Sequence, residues 1–256
     1  MFYHGGKLIP ILRIAPPPPP PPPRVLVLIL ASDTQPIYLE HQRLWRTYMH
    51  SNPNVDCYFY KGDPTLKSEA ELKGDTLFLR IEDTLDTVYE KTLRAFAFFS
   101  PRLTKYKCVF RTNLSSVVVF DRYIEYCKLI PSEGFCSAYV GHEFEVEFPS
   151  GAGYTLTPDL VRRLAVERPP LHIQDDVSLG FAFKEWGVKV RPAPRIDLLS
   201  EFYVEAWAGK IPPYAYHFRA KQLIRAEEGI ETPYELELMQ SLISEYYGES
   251  AKDPNR

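Results

Sequence analysis

Arg24 is followed by Val25-Leu26-Val27-Leu28-Ile29-Leu30, six apolar residues with no polar alternation. A strand with one wet face would alternate, so an unbroken run of this length belongs to a strand covered on both sides, as in a parallel sheet with helices above and below. Immediately before it stand eight consecutive prolines, Pro16–Pro23. Such a run forms a polyproline II rod of roughly 25 Å at about 3.1 Å per residue. The rod is read as a spacer, a strap against the domain, or a docking site for an SH3- or WW-like partner that recognises proline-rich segments.

Further strands are predicted at Cys57–Tyr60, Thr76–Leu79 and Tyr106–Phe110, and helices at 37–50 and 84–99. The second helix carries Leu85, Val88, Thr92, Phe96 and Phe99 at helical spacing, an apolar stripe that reads as core. Alternating strands and helices predict an α/β fold with a mostly parallel, doubly wound sheet, flanked by helices and followed by a less regular C-terminal half. Ligands of such sheets sit past the carboxyl ends of the strands. The loops after Leu30, Leu79 and Phe110 are therefore the places to look, with Ala31, Ser32 and Asp33, then Asp83 and Asp86, as candidates for a donor's base and ribose.

The second half offers Thr157-Pro158 as a helix start running to about Val166, a helix capped by Asp175 or Asp176 and closed by Gly187, a short strand at Val188–Val190, and a capping box at Thr232–Glu235. Gly151 and Gly153 allow close approach of the backbone to a ligand or to another strand. Trp186 and Trp207 are either acceptor-sugar platforms or buried packing.

With 256 residues, 45% hydrophobic, the chain can bury a full core. The net charge of −3 excludes the basic footprint of a general nucleic-acid binder. The four cysteines have no metal-type spacing, and Cys57 and Cys108 lie in apolar runs as reduced core residues. No apolar stretch long enough for a membrane span and no signal peptide is visible, so the expectation is a soluble, cytoplasmic protein. The first strand is not followed by G-x-G-x-x-G, which counts against a dinucleotide-dependent oxidoreductase.

Three blocks in order, Glu82–Leu93, Phe110–Ser116, and Phe148–Thr157 with Asp175–Gly180, resemble the β-1,3-glycosyltransferase family of galactosyl-, N-acetylglucosaminyl- and Fringe-type enzymes. The wording of the first strand and of Thr112–Ser116 is similar to homologues of chlorovirus type, carried by large DNA viruses of algae, which build capsid glycans in the host cytoplasm. The resemblance covers about residues 25–190. It implies a GT-A fold at 24–256 behind an extension at 1–23, with 24–116 binding the nucleotide sugar and 117–256 the acceptor. It implies an inverting enzyme moving a sugar from a UDP-sugar donor to a glycan acceptor hydroxyl.

By the same resemblance Asp176 stands at the family's general base and Asp175 at its neighbouring acid; the alternative is that one or both merely cap a helix. Arg46 and Arg111 match basic donor-side positions. The family's acidic triplet, which holds Mn2+ or Mg2+, is replaced by Asn113-Leu114-Ser115, with Asn113 and Ser115 as weak neutral oxygen ligands. His217 is then the candidate metal helper, and Arg219 and Lys221 the candidate partners of the leaving diphosphate. The lost triplet leaves open a metal-independent enzyme or an inactive nucleotide-sugar or glycan binder.

Overall fold

The computed structural model describes the strand residues 3–4 and 7–8 and residues 21–221 and 233–248. Most of the proline rod and Thr232 of the capping box lie outside the described residues; Pro21–Pro23 have no regular structure. A small ladder, β1 (Tyr3–His4) and β2 (Lys7–Leu8), precedes the rod.

The core of the molecule is an eight-stranded sheet built on β3 (Val25–Leu30). β3 pairs in parallel with β4 (Val55–Gly62) on one side and β7 (Cys108–Asn113) on the other. β4 continues to β6 (Thr76–Leu79) in parallel, and β5 (Ala70–Lys73) closes that edge antiparallel. Beyond β7 come β10 (Val146–Leu156), β9 (Cys136–Glu143) and β11 (Val190–Pro192). The apolar run of β3 is explained by its position. Val25, Val27 and Ile29 enter one core, Leu26 and Leu28 the other, and none of the five is exposed.

One core lies under α1 (Pro36–Arg46), α3 (Phe120–Leu129) and α7 (Pro233–Tyr247), and under a second sheet of β12 (Arg195–Asp197), β13 (His217–Arg219) and β8 (Ser116–Val118). The other lies under α2 (Val88–Phe99), α4 (Pro158–Glu167) and α5 (Asp175–Glu185). A further helix, α6 (Glu201–Trp207), has no buried residue. The sheet is thus covered on both faces and mostly parallel, as expected.

Four local readings are corrected and one element, a hairpin, is added. α2 starts at Val88, because Thr87 Oγ1 turns back to Glu82 and Thr84 carbonyls; Leu85 is left outside the stripe, 85% exposed. Residues 136–156 form an antiparallel hairpin that inserts β10 between β7 and β9. Its turn residues Phe144 and Glu145 both have positive φ, which a two-residue hairpin loop needs. Thr157 precedes α4, but its hydroxyl bonds Phe135 rather than the helix. The residue preceding α5 is Gln174, so Asp175 and Asp176 are its first two helical residues and not its N-cap. The strand expected at Val188–Val190 begins at Val190.

Candidate active site

The three loops singled out at the carboxyl ends of β3, β6 and β7 enclose one cleft of about 240 Å³. Ala31 and Ser32 line it after β3, Asp83 and Thr84 after β6, and Asn113 and Ser115 after β7. Thr34 and Gln35, Tyr38 and His41 of α1, Lys91 of α2, and Lys221 add to its polar lining. Asp33 is not part of that lining. Its carboxylate takes Lys61 Nζ at 2.5 Å and Gln42 Nε2 at 3.0 Å, and the same amide fixes the Ser32 carbonyl. Burial works to raise the Asp33 pKa, but the bonds from Gln42 and Lys61 and the Lys61 charge hold it below the usual value. Asp83 accepts Lys91 Nζ at 2.6 Å; that ammonium is buried and also reaches the Thr84 carbonyl.

A second constellation sits where α5 meets β10. Gly180 lets the helix lie on the strand, since a Cβ there would fall 2.6 Å from Phe148 Cβ. This close packing brings the first turn of α5 to Gly151. Asp176 Oδ2 accepts the Gly151 amide at 2.9 Å and Oδ1 accepts the Val177 amide at 3.0 Å. Burial raises the Asp176 pKa, and the Asp175 charge adds to it, against the two amides and Arg111. Arg111 is the hub. It is 2% exposed and donates to Tyr60 Oη at 2.9 Å, to the Gly151 carbonyl, and to Asp175 Oδ2 at 3.2 Å. Its guanidinium is committed to protein groups, so it positions the α5 carboxylates rather than lining the cleft. Asn113 lies two residues further along β7, about 7 Å by strand geometry. One strand therefore ties the cleft to the acidic turn.

The corner that replaces the acidic triplet is neutral and closed on itself. Asn113 Oδ1 accepts hydroxyls from Ser115 at 3.3 Å and Ser116 at 3.1 Å. Ser116 Oγ also meets His217 Nε2 at 3.0 Å. Burial, then the charges of Arg195 and Arg219, push the His217 pKa well below its usual value, so the ring is neutral. Gly153 is explained here as packing, since a Cβ would lie 2.4 Å from His217 Cε1 and 2.9 Å from Phe110 Cζ. A buried ring bonded to a hydroxyl and flanked by two guanidinium groups does not fit a divalent cation, and no cluster of three or more His, Cys, Asp or Glu suited to a metal exists among the described residues. Among the described residues, the metal role expected of His217 has no donor set around it.

Two other candidates stand apart from the cleft. Arg46 pairs with Asp75 at 2.8 Å and stacks over Phe59. Asp86 is exposed and outside the lining. Trp186 is covered by Arg163 at 4.1 Å, and Trp207 packs on the first core. Sequence reasoning missed Lys91, hidden as a lone lysine beside an apolar stripe, and Arg195, which grips Asp197 through two nitrogens and Ser150 through a third. The His41–Glu235 pair, 3.2 Å apart and buried, joins α1 to α7 across a separation no local pattern encodes.

No family profile and no curated protein sequence matches this chain. Among solved structures it is similar to glycosyltransferases. The glycosyltransferase GlyE of Streptococcus pneumoniae TIGR4 aligns at 12% identity and TM-score 0.45, over 91% of this chain and 66% of GlyE, so the chain spans just under two thirds of that protein. The galactosyltransferase LgtC, solved with donor and acceptor sugar analogues, aligns at 11% identity and TM-score 0.45 over 85% of this chain and 95% of its own. A glycosyltransferase involved in glycosylation of the major capsid of PBCV-1 aligns at 10% identity and TM-score 0.46 over 86% and 100%.

Proposed function

We propose that this chain is an inverting glycosyltransferase that holds a UDP-sugar in the cleft and passes the sugar to a glycan hydroxyl, with Asp176 as general base. The observation that carries the reading is the junction of cleft and acidic turn. A 240 Å³ cleft at the strand ends is joined through β7 to a carboxylate whose pKa is raised and which no cation grips directly. Loop amides and hydroxyls suit a nucleoside; the turn of α5 suits the reacting end. In the step, the acceptor oxygen forms a bond to the anomeric carbon as its proton goes to Asp176. The bond from that carbon to the diphosphate oxygen breaks, and the electron pair leaves with the diphosphate. The raised pKa makes Asp176 a stronger base, and help of this kind is worth roughly 10²- to 10⁴-fold.

A UDP donor, a β-1,3 linkage and work in the cytoplasm follow the sequence blocks rather than any distance; no helix among the described residues is long and apolar enough to cross a membrane. The test is turnover of a panel of UDP-sugars, with and without acceptor, by wild type and Asp176→Asn. The expected outcome is a silent variant that still binds UDP; wild-type rates in the variant would remove the assignment. A second reading, a non-catalytic nucleotide-sugar binder, draws on the two amides that already occupy Asp176. Yet a carboxylate offers about four acceptor sites, so two remain for an acceptor hydroxyl. Tight donor binding without any turnover would favour that second reading.

A further inference from the structure

We infer that this chain neutralises the diphosphate of its donor with side-chain cations, Lys221 and Arg219, in place of a divalent metal. The inference rests on the nucleotide-sugar reading above and concerns how that same site is built.

A metal bridging a diphosphate needs carboxylate oxygens facing the phosphates. Asp83 is the carboxylate of the cleft lining, and Lys91 holds it at 2.6 Å. Asn113 spends its oxygen on the Ser115 and Ser116 hydroxyls, and His217 spends Nε2 on the same Ser116. Among the described residues, the Asn113–Ser115–Ser116–His217 corner is therefore satisfied without a cation and holds no carboxylate of its own.

What the corner does have is positive charge. β13 and the two residues after it cross the corner: Phe218 and Ala220 are buried in the core, while Arg219 and Lys221 between and beyond them are only half-buried. The Ala220 amide bonds the Ser115 carbonyl at 2.8 Å, which pins this segment to the cleft wall. Lys221 lines the cleft beside Asn113 and Ser115. Arg219 Nε is buried with no hydrogen-bond partner. A buried guanidinium N–H left unsatisfied is costly, and an anionic oxygen is its best complement. Its neighbour Arg195 is neutralised through two bonds by Asp197, so it does not compete for the same anion. Preorganised cations aimed at a leaving group that gains charge are an effective substitute for a Lewis acid.

The experiment is calorimetric binding of UDP and of uridine to the full chain, in EDTA and in Mn2+. Wild type should bind UDP in EDTA, with little gain on adding Mn2+. Arg219→Gln and Lys221→Gln should each weaken UDP by about tenfold or more while leaving uridine unchanged, and Arg219→Lys should recover part of the loss. Thermal melts of each variant separate lost contacts from lost fold. UDP binding that requires Mn2+, or a folded double variant that binds UDP as wild type does, would overturn the inference. If neither UDP nor uridine binds in either condition, the nucleotide-sugar reading itself fails and takes this one with it.

Discussion

Asp33 and Asp176 both feel burial pushing their pKa up, and their partners decide whether that push wins. The Asp33 side chain is half exposed, and the modest upward push of its burial is overcome by the Gln42 amide and an ammonium 2.5 Å away, which hold its pKa down. Asp176 is more deeply buried, accepts only backbone amides and has a second carboxylate beside it, so burial first and then the Asp175 charge push its pKa up. The first is a structural ion-pair member that braces the β3 loop. The second keeps its proton affinity because burial and the Asp175 charge outweigh the two amides and the more distant pull of Arg111, which is bonded to Asp175. Partner chemistry decides which acid is available for a reaction.

The largest expected effect follows directly. Asp176→Asn should lower transfer by roughly 10²- to 10⁴-fold, whereas Asp33→Asn should cost less than about tenfold. Steady-state rates for both variants check this, and the reverse order would break the comparison. Next comes the hub. Arg111→Met removes the cation from the Gly151 carbonyl and Asp175 and leaves Tyr60 Oη with Thr92 alone, in and around a buried site. Breaking such a set should cost about 3 kcal/mol, read from urea midpoints, with Asp175's partial exposure keeping it at the low end. Arg111 also lowers the Asp176 pKa, so the acid limb of the rate profile in this variant should move to higher pH.

The two halves of this comparison were not equally legible in the sequence. The cleft loops could be read because the strands before them are short apolar runs, and a parallel sheet puts its ligands at their ends. The role of Asp33 could not, since the strand expected at Cys57–Tyr60 stops one residue short of Lys61, and the pair forms through sheet register. The acidic turn was visible as Asp175-Asp176, but its setting depends on the missed hairpin. Pro149, Ser150 and two glycines break the alternation of β10, and its turn has no Asn-Gly signature to announce it. Gly153 looked like a ligand contact and is a packing site for His217, a contact between residues distant in sequence. Arg111 and Arg46 were both read as donor groups; each is consumed by a carboxylate that only tertiary structure supplies.

A subtler test of the Asp176 environment uses its neighbour. The Asp175 charge helps raise the Asp176 pKa. Asp175→Asn removes that charge and leaves Arg111 without an anionic partner, and both changes favour ionised Asp176. The acid limb of kcat/KM should therefore move to lower pH, opposite in direction to Arg111→Met. A limb that moves the same way in both variants would mean that Asp176 is not the group titrating.

The smallest effect is on stability, and its sign separates the two aspartates. A carboxylate with a depressed folded pKa stabilises above its unfolded value, near 3.9, and that contribution is lost as pH falls through the folded value. Asp33→Asn should thus lower the melting temperature at neutral pH, by no more than about 1 kcal/mol in free energy because the pair is solvent-screened on the Asp33 side. The difference should vanish in acid. Asp176 has the opposite linkage. Its contribution is present below the unfolded value and is lost as pH rises through the raised folded one. Asp176→Asn keeps an oxygen acceptor for the Gly151 amide while removing a charge that burial disfavours, so at neutral pH it should melt at or above wild type. Melting curves for both variants at neutral and acid pH give four numbers, and a destabilised Asp176→Asn at neutral pH would show that the amides grip this carboxylate more strongly than burial disfavours it.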